Sequence, residues 1–227
     1  MAPTDRYRRP ADLPQRIPVF PLLKAILLPR STLPLNIFEP RYLAMLDDVI
    51  SGARVLGIIQ PERTESEDES PVGKAVRLRR VGCTGRLTAF QELDDGRLVI
   101  TVTGIARFDV AQEMLTAKPY RVCEVSYERF KDDFAPGVGE DDVDREDLIR
   151  VFKSYLDAHD LKADWKAIHN APTEFLVNSL SIMCPYGPEE KQALLEAHDL
   201  KTRAEVLTAL AEMELASGES GSGGAMN

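Results

Sequence analysis

The stretch VGCTGRLTAFQELDDGRLVITVTGIARFDVAQEML, residues 81–115, constrains the fold more than any other part of the chain. Leu98, Ile100 and Val102 alternate with Arg97, Val99, Thr101 and Thr103, the two-residue period of a strand with one face in a core. Asp95-Gly96 separates two such runs, and both residues tolerate positive φ, so the stretch reads as a β-hairpin. Gly104 gives room for a bend or bulge before IARFDV.

The hairpin has β-like neighbours. IPVFPL (17–22) and STLPLNIF (31–38) are short apolar runs broken by prolines, as in edge strands or strand ends. RVLGIIQP (54–61) reads as a buried strand, and YRVCEVSYE (120–128) alternates. The acidic, Ser-containing ERTESEDES (62–70) reads as a mobile loop. One helix interrupts the strands over residues 40–51. Pro40 suits its first position, Tyr42, Met45, Leu46, Val49 and Ile50 share a face, and Gly52 ends it. Several antiparallel strands with one short helix suggest a small, partly closed barrel or sandwich.

The second half changes character. Residues 1–128 hold 18 basic side chains against 17 acidic ones, whereas residues 129–227 hold 10 against 20. A shift of that size in mid-chain predicts two structural units, and it sets the acidic half against phosphate backbones. RFKDDFAPGVGEDDVD (129–144) is acidic and punctuated by Pro and Gly, the composition of a linker. Beyond it the chain reads helical. Leu148, Ile149, Phe152, Tyr155 and Leu156 make one stripe; Phe175, Leu176, Leu180 and Met183 make another. Pro188 followed by Glu189 and Glu190 opens a third helix, and Thr202 with Glu205 has the spacing of a capping box. The expected divisions are a flexible segment 1–15, a β-rich unit 16–128, a linker 129–142, a helical unit 143–216 and a disordered Gly/Ser-rich tail 217–227.

Motifs for chemistry are missing. Around Gly73-Lys74 a P-loop needs an earlier Gly and a Ser or Thr, but Asp68 and Ala75 stand there. His159, His169 and His198 have no ligand-type spacing, so no metal and no cofactor is expected. Cys83, Cys123 and Cys184 are odd in number and form no C-x-x-C, which fits neither a disulfide framework nor a zinc knuckle and suits a reducing cytoplasm. Strand alternation separates Arg77 and Arg79 from Arg80, diluting any nucleic-acid patch that these and Arg86 would form. The N-terminus lacks the apolar core of a signal peptide, and no apolar run approaches the roughly 20 residues of a membrane helix.

One cluster remains, FEPRY at 38–42. Glu39 precedes the helix, where a carboxylate is favoured, and Arg41 is placed to pair with it. Phe38 and Tyr42 suit burial on either side of a strand-to-helix corner, so the cluster reads as structure before chemistry.

These residues and their surroundings resemble the Lon protease N-terminal domain, also called the Lon substrate-binding domain. The likeness lies in IPVFPLLKAILLPRSTLPLNIFEPRYLAML (17–46), VGCTGRLTAFQELDDGRLVITVTGIARFDV (81–110) and EEKQALLEAHDLKTRAEVL (189–207). It departs around residues 28–31, where LLPRS replaces the usual Phe-Pro-Gly. The resemblance implies an α+β chain: a β-rich, PUA-like pseudo-barrel with one short helix, followed by a helical bundle. It also implies a stand-alone member of the family without its own ATPase or protease domain. The expected function is non-catalytic capture of unfolded or partly folded polypeptides, or of a partner such as a separate protease or chaperone, with no membrane or nucleic acid involved. The candidate binding residues are Leu27, Leu28, Phe38, Glu39, Arg41 and Tyr42. The rival readings are a hydrolase with an unrecognised site and an RNA-binding PUA-like protein.

Overall fold

The computed structural model describes residues 4–62 and 76–222, so most of the acidic loop 62–70 and all of Gly73-Lys74 lie outside the described residues. The chain divides into two compact units, Met1–Pro136 with Pro185–Leu195, and Gly137–Cys184 with Glu196–Asn227.

Among the described residues, the first unit is built on six strands. They are β1 (Arg16–Pro21), β2 (Thr32–Ile37), β3 (Val55–Pro61), β4 (Leu78–Glu92), β5 (Leu98–Met114) and β6 (Arg121–Ser126), with helix α1 (Pro40–Ser51) between β2 and β3. Their order is β2-β5-β4-β3-β1-β6, and β6 returns to β5. The five strands other than β2 therefore close on themselves. β5 serves three neighbours because it is long: its first half, Leu98–Thr103, pairs with β2 and its second half, Asp109–Met114, with β6. Pro18 is tolerated by a similar division, since β1 meets β6 over Arg16–Val19 and the parallel β3 only over Val19–Pro21.

Glycine permits the closest approaches. A Cβ on Gly104 would stand 2.0 Å from the carbonyl oxygen of Leu28, and one on Gly85 2.3 Å from Val102 and 2.7 Å from Leu27. Leu27 and Leu28 thus lie directly over the bend in β5. Arg30 takes a left-handed φ of 64° and donates from Nη1 to the Asp133 carbonyl at 2.6 Å. Barrel packing centres on Ile17, Val19, Val55, Ile59, Phe108 and Val125.

Three expectations are corrected here. Residues 4–15 are not loose: Tyr7 and Leu13 join the barrel core, the Tyr7 hydroxyl accepts from Arg86 at 2.9 Å, and the Pro14 carbonyl accepts from Tyr127 at 3.0 Å. The expected linker begins as a 3-10 helix, Glu128–Phe134, with Phe130 and Asp133 buried. Asp133 holds Arg107 through Nε at 2.9 Å and Nη2 at 2.7 Å, and that guanidinium lies 4.3 Å over the Phe130 ring. Finally, Pro185–Leu195 belongs with the strands. The Gln60 amide donates to Pro188 O at 2.9 Å and Gln192 Oε1 at 3.0 Å, while Gln192 donates to Val81 O at 3.2 Å.

The second unit is helical: α2 (Arg145–Ala158), α3 (Trp165–Asn170), α4 (Thr173–Met183) and α6 (Leu200–Ser222), with α5 (Pro188–Glu196) lying almost wholly in the first unit. Asp144 and Asp164 cap α2 and α3 through the N–H groups of Asp147 and Ala167, both at 3.0 Å. Arg145 gathers the end of α3, donating to the carbonyls of Ile168 and Ala171 at 2.8 Å. On α4, Leu176 and Val177 are buried while Phe175 and Met183 are exposed, so the buried stripe is turned from the expected one. The first turn of α6 is capped by Asp199, which accepts from the Thr202 N–H at 2.7 Å, in place of the expected Thr202–Glu205 box. The same helix continues to Ser222, into the expected tail.

Candidate functional site: the strand-to-helix corner and the β2 edge

At the corner, the five residues FEPRY divide sharply between inside and outside. Ile37 ends β2 buried, Pro40 is the first residue of α1, and the Glu39 carbonyl accepts from the N–H groups of Tyr42 and Leu43 at 2.9 and 3.0 Å. Tyr42 turns inward, its ring edge-on to Phe20 with centroids 4.3 Å apart. Burial pushes its hydroxyl above the ordinary tyrosine range, so it stays neutral. Arg41 covers that ring, 4.6 Å from the centroid, and donates from Nε to Glu39 Oε2 at 2.8 Å. The Glu39 side chain makes no cap bond, so its carboxylate serves Arg41.

Phe38 has no such task. It is 63% exposed, against 6% for Tyr42 and 0% for Leu27 and Leu28. Of the six candidate residues, Phe38, Glu39 and Arg41 are therefore presented to solvent. Leu27, Leu28 and Tyr42 are buried and offer a ligand no surface. The helical period places Tyr42 on the apolar face of α1, but Phe38 precedes that helix and no period in the sequence assigns it a side.

β2, which leads into the corner, was not among the candidate site residues. It stands at the end of the sheet and, among the described residues, is bonded to β5 alone. The Gly104 N–H donates to Ser31 O at 2.8 Å, which fixes the alternation of the ladder. The partner-facing backbone groups are those of Leu33, Leu35 and Ile37; those of Thr32, Pro34 and Asn36 point away from β5, and these three residues are exposed. Register places Leu35, Ile100 and Phe90 in one row across three strands, on one face of the sheet. Ile100 is core, Leu35 is half-buried and Phe90 is 52% exposed, so the apolar face runs out from the core to the surface. Leu33 and Leu98 on the same face are also half-buried.

Other groups lead elsewhere. Burial pushes the Cys123 thiol up to about 11, and Cys83 and Cys184 are buried too. The three histidines are exposed and lie on separate elements, and the described residues hold no group of three or more His, Cys, Asp or Glu placed to bind a metal. Arg79 pairs with Glu189 and Arg86 with the Tyr7 hydroxyl, which ties down two of the four arginines near β4. A groove of about 500 Å³ in the first unit is lined by Tyr7, Arg8, Arg30, Ile105, Asp133 and Phe134, but Asp133 in it is already bound to Arg107. Among the described residues, no helix is long and apolar enough to cross a membrane.

Comparison with known proteins agrees with this architecture. The family profile of the ATP-dependent protease La (LON) substrate-binding domain matches residues 16–212. The chain is 25% identical over 198 residues to a Lon protease of Flavobacterium johnsoniae, covering 85% of this chain and 23% of that protein. It is 26% identical over 206 residues to Lon protease 2 of Myxococcus xanthus, covering 88% of this chain and 24% of that one. It thus spans about a quarter of the length of these relatives. Among solved structures, a Lon N-terminal domain protein from Xanthomonas campestris superposes with a TM-score of 0.60 at 23% identity, over 86% of this chain and 97% of that one. The N-terminal domain of a Mycobacterium avium complex Lon protease gives 0.61 at 16% identity, over 87% and 98%. At those identities the likeness is one of fold.

Proposed function

The chain belongs to the Lon substrate-binding domain family, and from that premise we propose that it is a non-catalytic module that captures polypeptides exposing apolar segments. Unfolded or damaged proteins are the ligands of this reading, held for a separate protease or chaperone in the cytoplasm. The observation that carries it is Phe38, a large apolar side chain 63% exposed beside a fixed corner. Covering such a ring by a ligand is worth roughly 1.5–3 kcal/mol, and the Glu39–Arg41 pair beside it supplies the polar rim that a protein-binding surface needs.

The test is fluorescence anisotropy of a labelled, reduced and carboxymethylated protein against its native form. Selective binding of the unfolded form, weakened about tenfold or more by Phe38→Ser, is the expected result for removal of an anchoring aromatic. Tyr42→Ser is the wrong probe, because it empties a core position and unfolds the corner. Equal affinity of wild type and Phe38→Ser for the unfolded form would remove Phe38 from the site. No binding to either form would overturn generic capture.

A further inference from the structure

We infer that the module takes its ligand as a strand: an extended polypeptide segment pairs with the free edge of β2, extending the sheet by one member. This rests on the capture reading above and names how that capture is made.

The register argument is specific. Thr32, Pro34 and Asn36 face outward, so the edge offers two N–H donors, from Thr32 and Asn36, and three carbonyl acceptors. Such groups recognise main chain and not any particular side chain, which is what a receptor for unfolded polypeptide requires. An added strand would set every second side chain beside Leu33 and Leu35. Both are half-buried and lie on the face that continues into Ile100 and Val102. An apolar residue there finishes a row that the core begins. The other side chains of the ligand would lie with Thr32, Pro34 and Asn36, in solvent.

Charge and proline select the occupant. Exposed edges are usually blunted by lysine or other charges, yet Thr32–Ile37 carries none, so the edge repels neither acidic nor basic segments. The usual hazard of a bare edge is pairing with its own copy. Pro34 works against that outcome. Two β2 strands laid edge to edge bring two prolines into one ladder and forfeit two N–H donors, whereas a foreign strand forfeits one. On six residues that difference favours a client over a second copy of the chain.

Backbone amide exchange, read by NMR on the intact protein with and without a saturating amount of the reduced, carboxymethylated protein, tests the inference. The N–H groups of Thr32 and Asn36 are expected to slow at least about tenfold when the client is bound, as solvent-facing amides enter a ladder. Asn36→Pro removes one outward donor and is expected to weaken client binding about fivefold, the worth of one net hydrogen bond. Asn36→Ala keeps the donor and is expected to bind as wild type. Client binding with unchanged exchange at Thr32 and Asn36 overturns strand addition and leaves capture standing. Slowing that follows the protein's own concentration without client assigns the edge to a second copy and overturns it likewise. Absence of client binding altogether strikes the capture reading itself, and strand addition falls with it.

Discussion

β2 and β6 both pair with β5, and the contrast between them separates what holds this protein together from what it offers to others. β6 lies between two partners, β5 and β1, and closes the barrel. Its Arg121 is committed to Glu113 and to the Val76 carbonyl. Among the described residues, β2 has one partner, no charge and an exposed outer side. A strand bonded on both edges contributes to stability and is closed to a ligand; a strand bonded on one edge can be spared for binding. The same division recurs in miniature at the corner, where Tyr42 is core and Phe38, four residues earlier, is surface.

Substitutions on the closed side have the largest expected effects. Arg107→Leu leaves the Asp133 carboxylate buried without its charged partner, with the backbone N–H of residue 107 still donating to it, so urea unfolding should show a loss of about 3–5 kcal/mol. Under conditions where the variant is folded, client affinity should be unchanged; a parallel fall in affinity would erase the line between the two regions. Gly104→Ala drives a methyl against the Leu28 carbonyl and should cost about 1–3 kcal/mol by the same measurement. Because that clash lies under the bend of β5, client binding should weaken with it.

Alkaline titration probes the barrel from another direction. Burial pushes the Tyr127 hydroxyl up to about 12, while in the unfolded chain it ionises near its usual value of 10. The neutral phenol's contribution is therefore fully present below pH 10 and lost as pH rises from 10 through about 12. Burial likewise pushes Tyr120 and Tyr155 up to about 12, so ultraviolet absorbance at the phenolate band should rise as the protein unfolds through that range, and Tyr127→Phe should lower the rise by one tyrosine. The smallest effect on stability is expected on the open side: Phe38→Ser should change it by no more than about 0.5 kcal/mol, since an exposed ring has little packing to lose. A stability loss of several kcal/mol there would show the ring to be part of the core and end its candidacy as a contact.

Much of the architecture is legible in the amino-acid sequence. Alternation through residues 97–103 and the Asp95-Gly96 turn place β4 and β5, and Pro40 with Gly52 bounds α1. These signals are local: a period of two, a period near four, a residue that tolerates a turn. The family motifs at 17–46 and 81–110 were equally readable and point to the fold that the solved relatives share. What failed to show was long-range. Tyr7 and Leu13 sit in a polar, proline-rich segment with no repeat, so nothing marked them as core. Asp133 looked like one more charge in an acidic linker, because its partner Arg107 is 26 residues away. Gln60 and Gln192 meet across 132 residues and draw α5 to the strands, against the charge pattern that grouped it with the helices.

By itself, the sequence determined the kinds of element, their order and the family to which they belong, since each depends on neighbours within a turn or a strand. Tertiary structure alone decided which strand kept a free edge, that Phe38 at the corner faced solvent and which unit received α5. Those outcomes depend on closure: only when β6 returns to β5 does β2 become the strand left over, and no local pattern records that event.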